Sequence, residues 1–575
     1  MYVPTRLRRI YRQDSAKHDE NGDLIELDCG DTGVTSINPE FARFTALQSL
    51  EIWNNELETL PPELARLIAL TKLDLSGNKF VLWPEVVNKF YGLTQLRIAS
   101  NRLKQLPPEI MSLGALEYLD LQSNKLSSLP AEIGGLTSLT KLDLSRNKLL
   151  ELPAQFGQVT ALTKLNLSEN KLLELPPQFG QLTALVKLDL SNNELYFLPG
   201  EFGQLAALTK LIIFDNQLHH LPREIGQLQE LTYFEVTVNQ LLDLPAEIGQ
   251  LTKLTVLYVS HNQLRMIPPQ ICSLTRLEDL GLSNNRLQAL PLEIRNLGQL
   301  SSLDVGNNRL KELPPDIGRL EKLTSLHLCE NELKRLPSEI GQLTALTVLH
   351  VPNNQLQELP AEIANLGQLD RLWANSNKLS ELPPSIGQLT NLTSLHLKSN
   401  LLSSLPPEIG QLTKLRYLEV SDNQLQALPP EIGQLNELFG LKAAKNQLSG
   451  LPSGIFSLRK LRKLSLSNNQ IEVLPGEIRH LWRLDILKLS HNKLLTLPGE
   501  IGNLFQLRVL HINDNPLQSL PPQFSHLDRL RYLRMEGTPL FETTNDPSLA
   551  DSFDCAQYYL NQTYKQLREM STSPR

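Results

Sequence analysis

Four large rings recur at one interval in this chain: His327, His350, Trp373 and His396 each stand 23 residues apart. Three of the eleven histidines lie in that file. Imidazoles and an indole so placed can do three kinds of chemistry. They can contact a protein or a planar ligand, because each ring joins an apolar body to a polar tip. They can take up protons and make binding pH-sensitive near about pH 6 to 7. With Cys329 close by, His327 and His350 can also begin a zinc cage, although the spacing fits no compact zinc motif and a fourth ligand is not evident.

A second group is apolar. Ile212, Tyr233, Val256 and Tyr258 occupy places that are charged or small elsewhere in the chain, with Phe214 and Val238 on the adjoining turn. An aromatic cluster on an otherwise polar surface suits a contact site. Local packing among these side chains is the plainer alternative. No G-x-S-x-G, H-E-x-x-H, C-x-x-C or G-x-x-x-x-G-K-[ST] occurs, so neither an enzyme nor a cofactor is expected.

Both groups sit on a repeated frame. The stretches "LTSLTKLDLSRNKLLELP" and "LTALTKLNLSENKLLELP" align at a period of 23 residues. Asparagines mark the period from Asn55 to Asn515 without a slip, and Thr32 and Thr538 stand one step outside them. That gives 23 units over residues 24–540. In "KLDL" the leucines alternate with polar letters, as in a strand with one buried face. The following "LPxEIGQL" predicts one helical turn, proline at its start and glycine near its end. A coil so short cannot bury its own apolar side, so the units must stack with their strands parallel. The asparagines then form an inner ladder for backbone groups that leave the sheet.

The unit L-x-x-L-x-L-S-x-N-x-L-x-x-L-P-x-E-I-G-Q-L-T-x resembles that of the Ras-group intracellular leucine-rich-repeat proteins. This group includes a Ras-pathway scaffold and the repeat segments of Roco-type proteins. The resemblance implies an α/β leucine-rich-repeat solenoid, a horseshoe with a concave parallel β-sheet and short helical turns on its convex side. It also implies a cytoplasmic scaffold that binds a protein partner on the concave sheet, a small GTPase among the candidates. A GTPase domain like that of a Roco protein is not expected, since 35 residues follow Leu540 in this sequence. Other relatives are pathogen effectors whose catalytic cysteine lies in a separate C-terminal domain, whereas Cys555 sits in a short tail.

The domain reading follows. Residues 1–23 form an N-terminal cap in which Leu7, Ile10 and Tyr11 have helical spacing; residues 541–575 form a C-terminal capping helix and tail. That helix opens at Asp546 and Pro547 and carries Leu549, Phe553, Leu560, Tyr564 and Leu567 as its apolar stripe. The net charge of −7, from 55 basic and 62 acidic residues, gives no general attraction to nucleic acid. Neither a signal-like start nor a membrane-length apolar run appears, and the four cysteines are scattered. A reducing cytoplasm is the expected compartment.

Along the sheet face the letters change character. Early units offer Glu51, Asp74, Asp120, Asp143 and Asp189 beside Lys72, Lys141, Lys164, Lys187 and Lys210, expected to neutralise one another. Late units offer Lys442, Lys488, Arg508 and Arg534, a basic end able to steer an acidic partner. Nucleic acid is not expected there, because the basic letters lack interleaved aromatics.

Overall fold

The computed structural model describes residues 16–542. It contains two compact units, Met1–Arg286 and Leu287–Arg575. Each is a stack of coils in which a three-residue strand is followed by a five-residue 3₁₀ turn. Within each unit the repeat strands pair in parallel at a register of one period, as in Lys141↔Lys164 of the first and His327↔His350 of the second. The expected repeat frame is therefore present. The cap residues Leu7, Ile10 and Tyr11, and the tail from Asp546 to Leu567 with Cys555, lie outside the described residues.

Alternation sets the two faces. Leu142, Leu165 and Leu188 in the strand centres are buried, and their polar neighbours face solvent. Each large side chain so buried contributes roughly 1.5–3 kcal/mol. In three successive coils the turn carries Phe where others carry Ile. Phe156, Phe179 and Phe202 stack with ring centroids 6.2 Å apart and nearly parallel planes.

The asparagine ladder is fully used. Asn285 accepts the Leu264 N–H at 3.0 Å and donates to the Val259 and Leu282 carbonyls, both at 3.0 Å. All these groups are buried, so each would otherwise be orphaned. Asn285→Ala is expected to lower stability by about 2–3 kcal/mol, read as a shift in urea midpoint; a loss under about 1 kcal/mol would show that the ladder matters little.

Two columns do more than the sequence indicates. Proline opens the turn as expected: Pro176 is extended, with φ −67° and ψ 147°, and Pro177 takes the first turn position. The glycine of "EIG" or "QFG", expected to end the turn, instead permits contact between coils. A Cβ on Gly180 would land on the carbonyl oxygen of Glu201 in the next turn. The residue before each ladder asparagine is left-handed: Gly77 before Asn78, and 20 non-glycine residues with φ between 48° and 59° before the others, with Asp31 alike before Thr32. That conformation turns the chain out of the sheet and costs an L-residue about 1–2 kcal/mol.

The first coil of the first unit and the last coil of the second are finished differently. Ala16–His18 pairs antiparallel with the first repeat strand, Leu24–Asp28, taking up its outer edge. At the other end Thr538 replaces the asparagine: its hydroxyl donates to the Met535 carbonyl at 2.7 Å and accepts the Phe541 N–H at 3.2 Å. A helical turn, Pro539–Glu542, follows.

Candidate functional site

Parallel, in-register pairing brings each column of the sequence together as a row of neighbours about 4.8 Å apart. His327, His350, Trp373 and His396 are thus adjacent on the solvent face of the second unit. Their rings touch in order. Centroids lie 5.4 Å apart for His327 and His350, 4.7 Å for His350 and Trp373, and 5.5 Å for Trp373 and His396. Hydroxyls fix the two ends: Ser325 Oγ is 2.8 Å from His327 Nε2, and Ser394 Oγ is 2.9 Å from His396 Nε2. Glu419, paired with Lys442 at 2.9 Å, stands 3.8 Å from His396 Nδ1. The Trp373 Nε1 is buried and has no hydrogen-bond partner among the described residues.

The zinc alternative gains no geometry. Among the described residues no three His, Cys, Asp or Glu side chains come together to hold a metal. Cys329 is half-buried beside Gly306, and burial raises its thiol pKa. Burial also pushes the Cys29 thiol up to about 12. Thiols of this kind are poor nucleophiles.

The apolar group assembles in the first unit. Tyr233 lies beside Val256 in register, and its ring meets that of Tyr258 edge-on with centroids 6.0 Å apart. Lys210 Nζ sits 4.4 Å above the Tyr233 ring. Both hydroxyls are spoken for: Tyr233 donates to Glu235 at 2.7 Å, and Tyr258 to Asp279 at 2.5 Å. Burial and the Asp279 carboxylate push the Tyr258 phenol up to about 12. Gly281, next to Tyr258 in register, has no side chain because a Cβ there would strike the ring. Ile212 and Phe214 are half-buried on the same coil, and Ile212 lines a groove of about 670 Å³ that runs over the lysine row.

Val238 marks this cluster as unusual. It alone among the left-handed residues is β-branched, at φ 54°. Such a side chain is strained there, and strain is retained where something other than stability selects the residue. Val238→Asn is expected to raise stability by about 1 kcal/mol in urea unfolding. A loss of stability would show instead that Val238 is a packing residue.

The expected mutual neutralisation of acids and lysines does not form. Lys141, Lys164 and Lys187 stand side by side with no ion pair among the described residues, and Asp143 and Asp189 are occupied by the hydroxyls of Ser145 and Ser191. Ion pairs arise instead where one column changes sign between adjacent coils, as in Arg97–Asp74 at 3.7 Å and Lys253–Glu230 at 2.6 Å.

Comparison with known proteins bears on the frame. The family model described as leucine rich repeat matches residues 92–149, 160–218, 229–287 and 483–540. A second, described as leucine-rich repeat region, matches 268–351, 326–406 and 405–493. A solved LRR protein of Leptospira interrogans is 35% identical over 73% of this chain and 96% of its own, with a TM-score of 0.56. The chain belongs to the leucine-rich-repeat family. No curated protein matches it. The ectodomain of the Arabidopsis receptor kinase HAESA, solved with the peptide hormone IDA and the co-receptor SERK1, is 28% identical over 92% of each chain, with a TM-score of 0.65. YopM from Yersinia enterocolitica is 27% identical over 89% of this chain and 91% of its own, with a TM-score of 0.54.

In this leucine-rich-repeat protein His350 and His396 resist protonation. Burial, then the neighbouring His327, hold His350 below its ordinary 6.5, against the opposing pull of Asp304. Burial also lowers His396, with Glu419 opposing and Lys442 assisting. An unfolded histidine takes its proton near 6.5, so the unfolded state binds more protons as pH falls. Stability is therefore complete above about pH 6.5 and is lost as pH drops through that value toward the folded pKa. A urea midpoint that is level from about pH 8 to 7 and then declines checks this, and His350→Gln should flatten the decline. A midpoint that rises on acidification would contradict it.

Proposed function

We propose that this leucine-rich-repeat protein is a cytoplasmic signalling adaptor that holds a partner protein on the solvent face of its sheet. The proposed contacts are the His327, His350, Trp373 and His396 file and, separately, the group of Ile212, Phe214, Tyr233, Val256 and Tyr258. The observation that carries this reading is the unbroken file of touching rings on adjacent strands, with Trp373 between two imidazoles. A buried, unpaired indole N–H costs about 1–3 kcal/mol, a strain that the chain keeps at the centre of the ring file. Large rings with polar tips are the residue class that dominates protein interfaces. The ladder and stacked coils fix these rings before the partner arrives, which keeps the ordering cost of association low.

HAESA is solved in complex with a peptide hormone and a co-receptor, and a protein or peptide is the partner class we assign here. The resemblance of the repeat unit to the Ras-group proteins makes a small GTPase the first partner to test. The role is binding, with no catalysis assigned to the chain itself. Affinity capture with wild type, Trp373→Ala and Tyr258→Ala tests the proposal. A partner retained by wild type and lost from both variants supports it. Equal recovery by all three removes the proposed surface.

A further inference from the structure

Beyond the ring file, the second unit carries a cleft of about 820 Å³ near its C-terminal end, lined by five arginines and two aspartates. The cations come from consecutive coils. Arg462, Arg508 and Arg531 share one column, and Arg483 and Arg529 share another two letters before it. Asp485 is already committed: Arg508 grips it with Nε at 2.5 Å and Nη2 at 2.7 Å, which holds its carboxyl below the ordinary range. Asp528 is the other acid lining the cleft. Arg462, Arg483 and Arg531 are exposed and make no direct ion pair among the described residues, although Arg462 is close enough to help hold the Asp485 carboxyl low.

The rim is aromatic. Where most units place a threonine or another small or polar letter after the turn, two successive units place Trp482 and Phe505, both exposed. Arg483 lies over the Trp482 ring, 4.7 Å from its centroid. The basic end therefore has aromatics on its edge, in addition to the exposed strand residue Tyr532 and the Phe439 ring under Arg462. Guanidinium forks bind carboxylates in a bidentate way, and an exposed indole beside them offers an apolar seat.

We propose that this cleft binds an acidic peptide segment of a partner protein, its carboxylates on Arg462, Arg483 and Arg531 and one apolar side chain against Trp482 and Phe505. Charge complementarity selects this occupant, because the cleft holds a surplus of cations that the protein itself leaves uncompensated. A single-stranded nucleic acid is the competing occupant, because Tyr532 and Phe439 also stand among these cations, and the oligonucleotide probe below decides against or for it. The site is independent of the ring file and stands or falls separately from it.

Fluorescence anisotropy on the full chain tests the proposal with three labelled probes. These are a peptide of Glu and Asp around one Leu, the same peptide with Gln and Asn, and a single-stranded oligonucleotide of matched charge. Wild type is expected to bind the acidic peptide and not the neutral one. The double variant Arg483→Glu, Arg531→Glu should weaken binding by about 10-fold or more, since each charged hydrogen bond contributes substantially. Trp482→Ala should weaken the Leu-bearing peptide while sparing one with Gly in its place. The altered residues are exposed, and circular dichroism of each variant confirms the fold. No binding of the acidic peptide, equal binding by the arginine variant, or tighter binding of the oligonucleotide would overturn the assignment.

Discussion

Partner affinity falls on the order of 100-fold when Trp373 is replaced by alanine, the loss expected of a central aromatic at about 2–4 kcal/mol. Trp373 is the middle of the file, with His350 at 4.7 Å on one side and His396 at 5.5 Å on the other. Truncation removes the largest ring and lets both imidazoles collapse toward the gap. It also removes an indole N–H that has no acceptor, so the stability lost by the free protein should be smaller than the affinity lost. Trp373→Phe separates the two contributions. If the donor matters, phenylalanine recovers only part of the affinity; if shape alone matters, it recovers nearly all. Calorimetry with the captured partner reads both, and an alanine variant that binds as well as wild type would remove Trp373 from the site.

Phe179→Ala should cost about 3–5 kcal/mol, the largest stability effect expected of a single core truncation here. Phe179 is fully buried between Phe156 and Phe202, at 6.2 Å from each, so alanine forfeits two stacking contacts and leaves a cavity. Each coil rests on its neighbours, so the defect should spread to the adjacent repeats before it is felt elsewhere. Phe179→Ile gives the contrast. Isoleucine occupies the same place in neighbouring coils at Ile133 and Ile225, so this change should cost less than about 1.5 kcal/mol. Amide hydrogen exchange in the turns Ala154–Gln158 and Gly200–Gln204 locates the loss. An alanine variant as stable as the isoleucine one would contradict the stacked-core account.

The frame was legible because one period governs it. Leucine alternation fixes the buried face, and the asparagine column anticipates the ladder seen at Asn285. The ring file was equally legible: in a parallel stack, residues 23 apart must be neighbours. What escaped the sequence depends on distances that a period does not encode. Gly180 reads as a helix end until the approach of Glu201 is known. Lys164 and Asp189 read as partners, yet register sets lysine beside lysine, and two residues along a strand separate the opposite charges by about 6–7 Å. Trp482 stands in the column after the turn, outside the strand letters that mark the sheet face, and the loss of threonine there is its sequence signal. The strand Ala16–His18 left no periodic mark at all.

The central claim is that uniform coils build the frame and irregular rings on the sheet face select the partner. Hydroxyl-radical footprinting of free and partner-bound protein tests it most directly, because Trp, Tyr, His and Met side chains all report. The account predicts that Trp373, His350, Tyr233 and Tyr258 become protected while Met111 and Met266, exposed and away from the strands, react as before. Protection of Met111 and Met266 with unchanged labelling of Trp373 and His350 would place the partner elsewhere and contradict it.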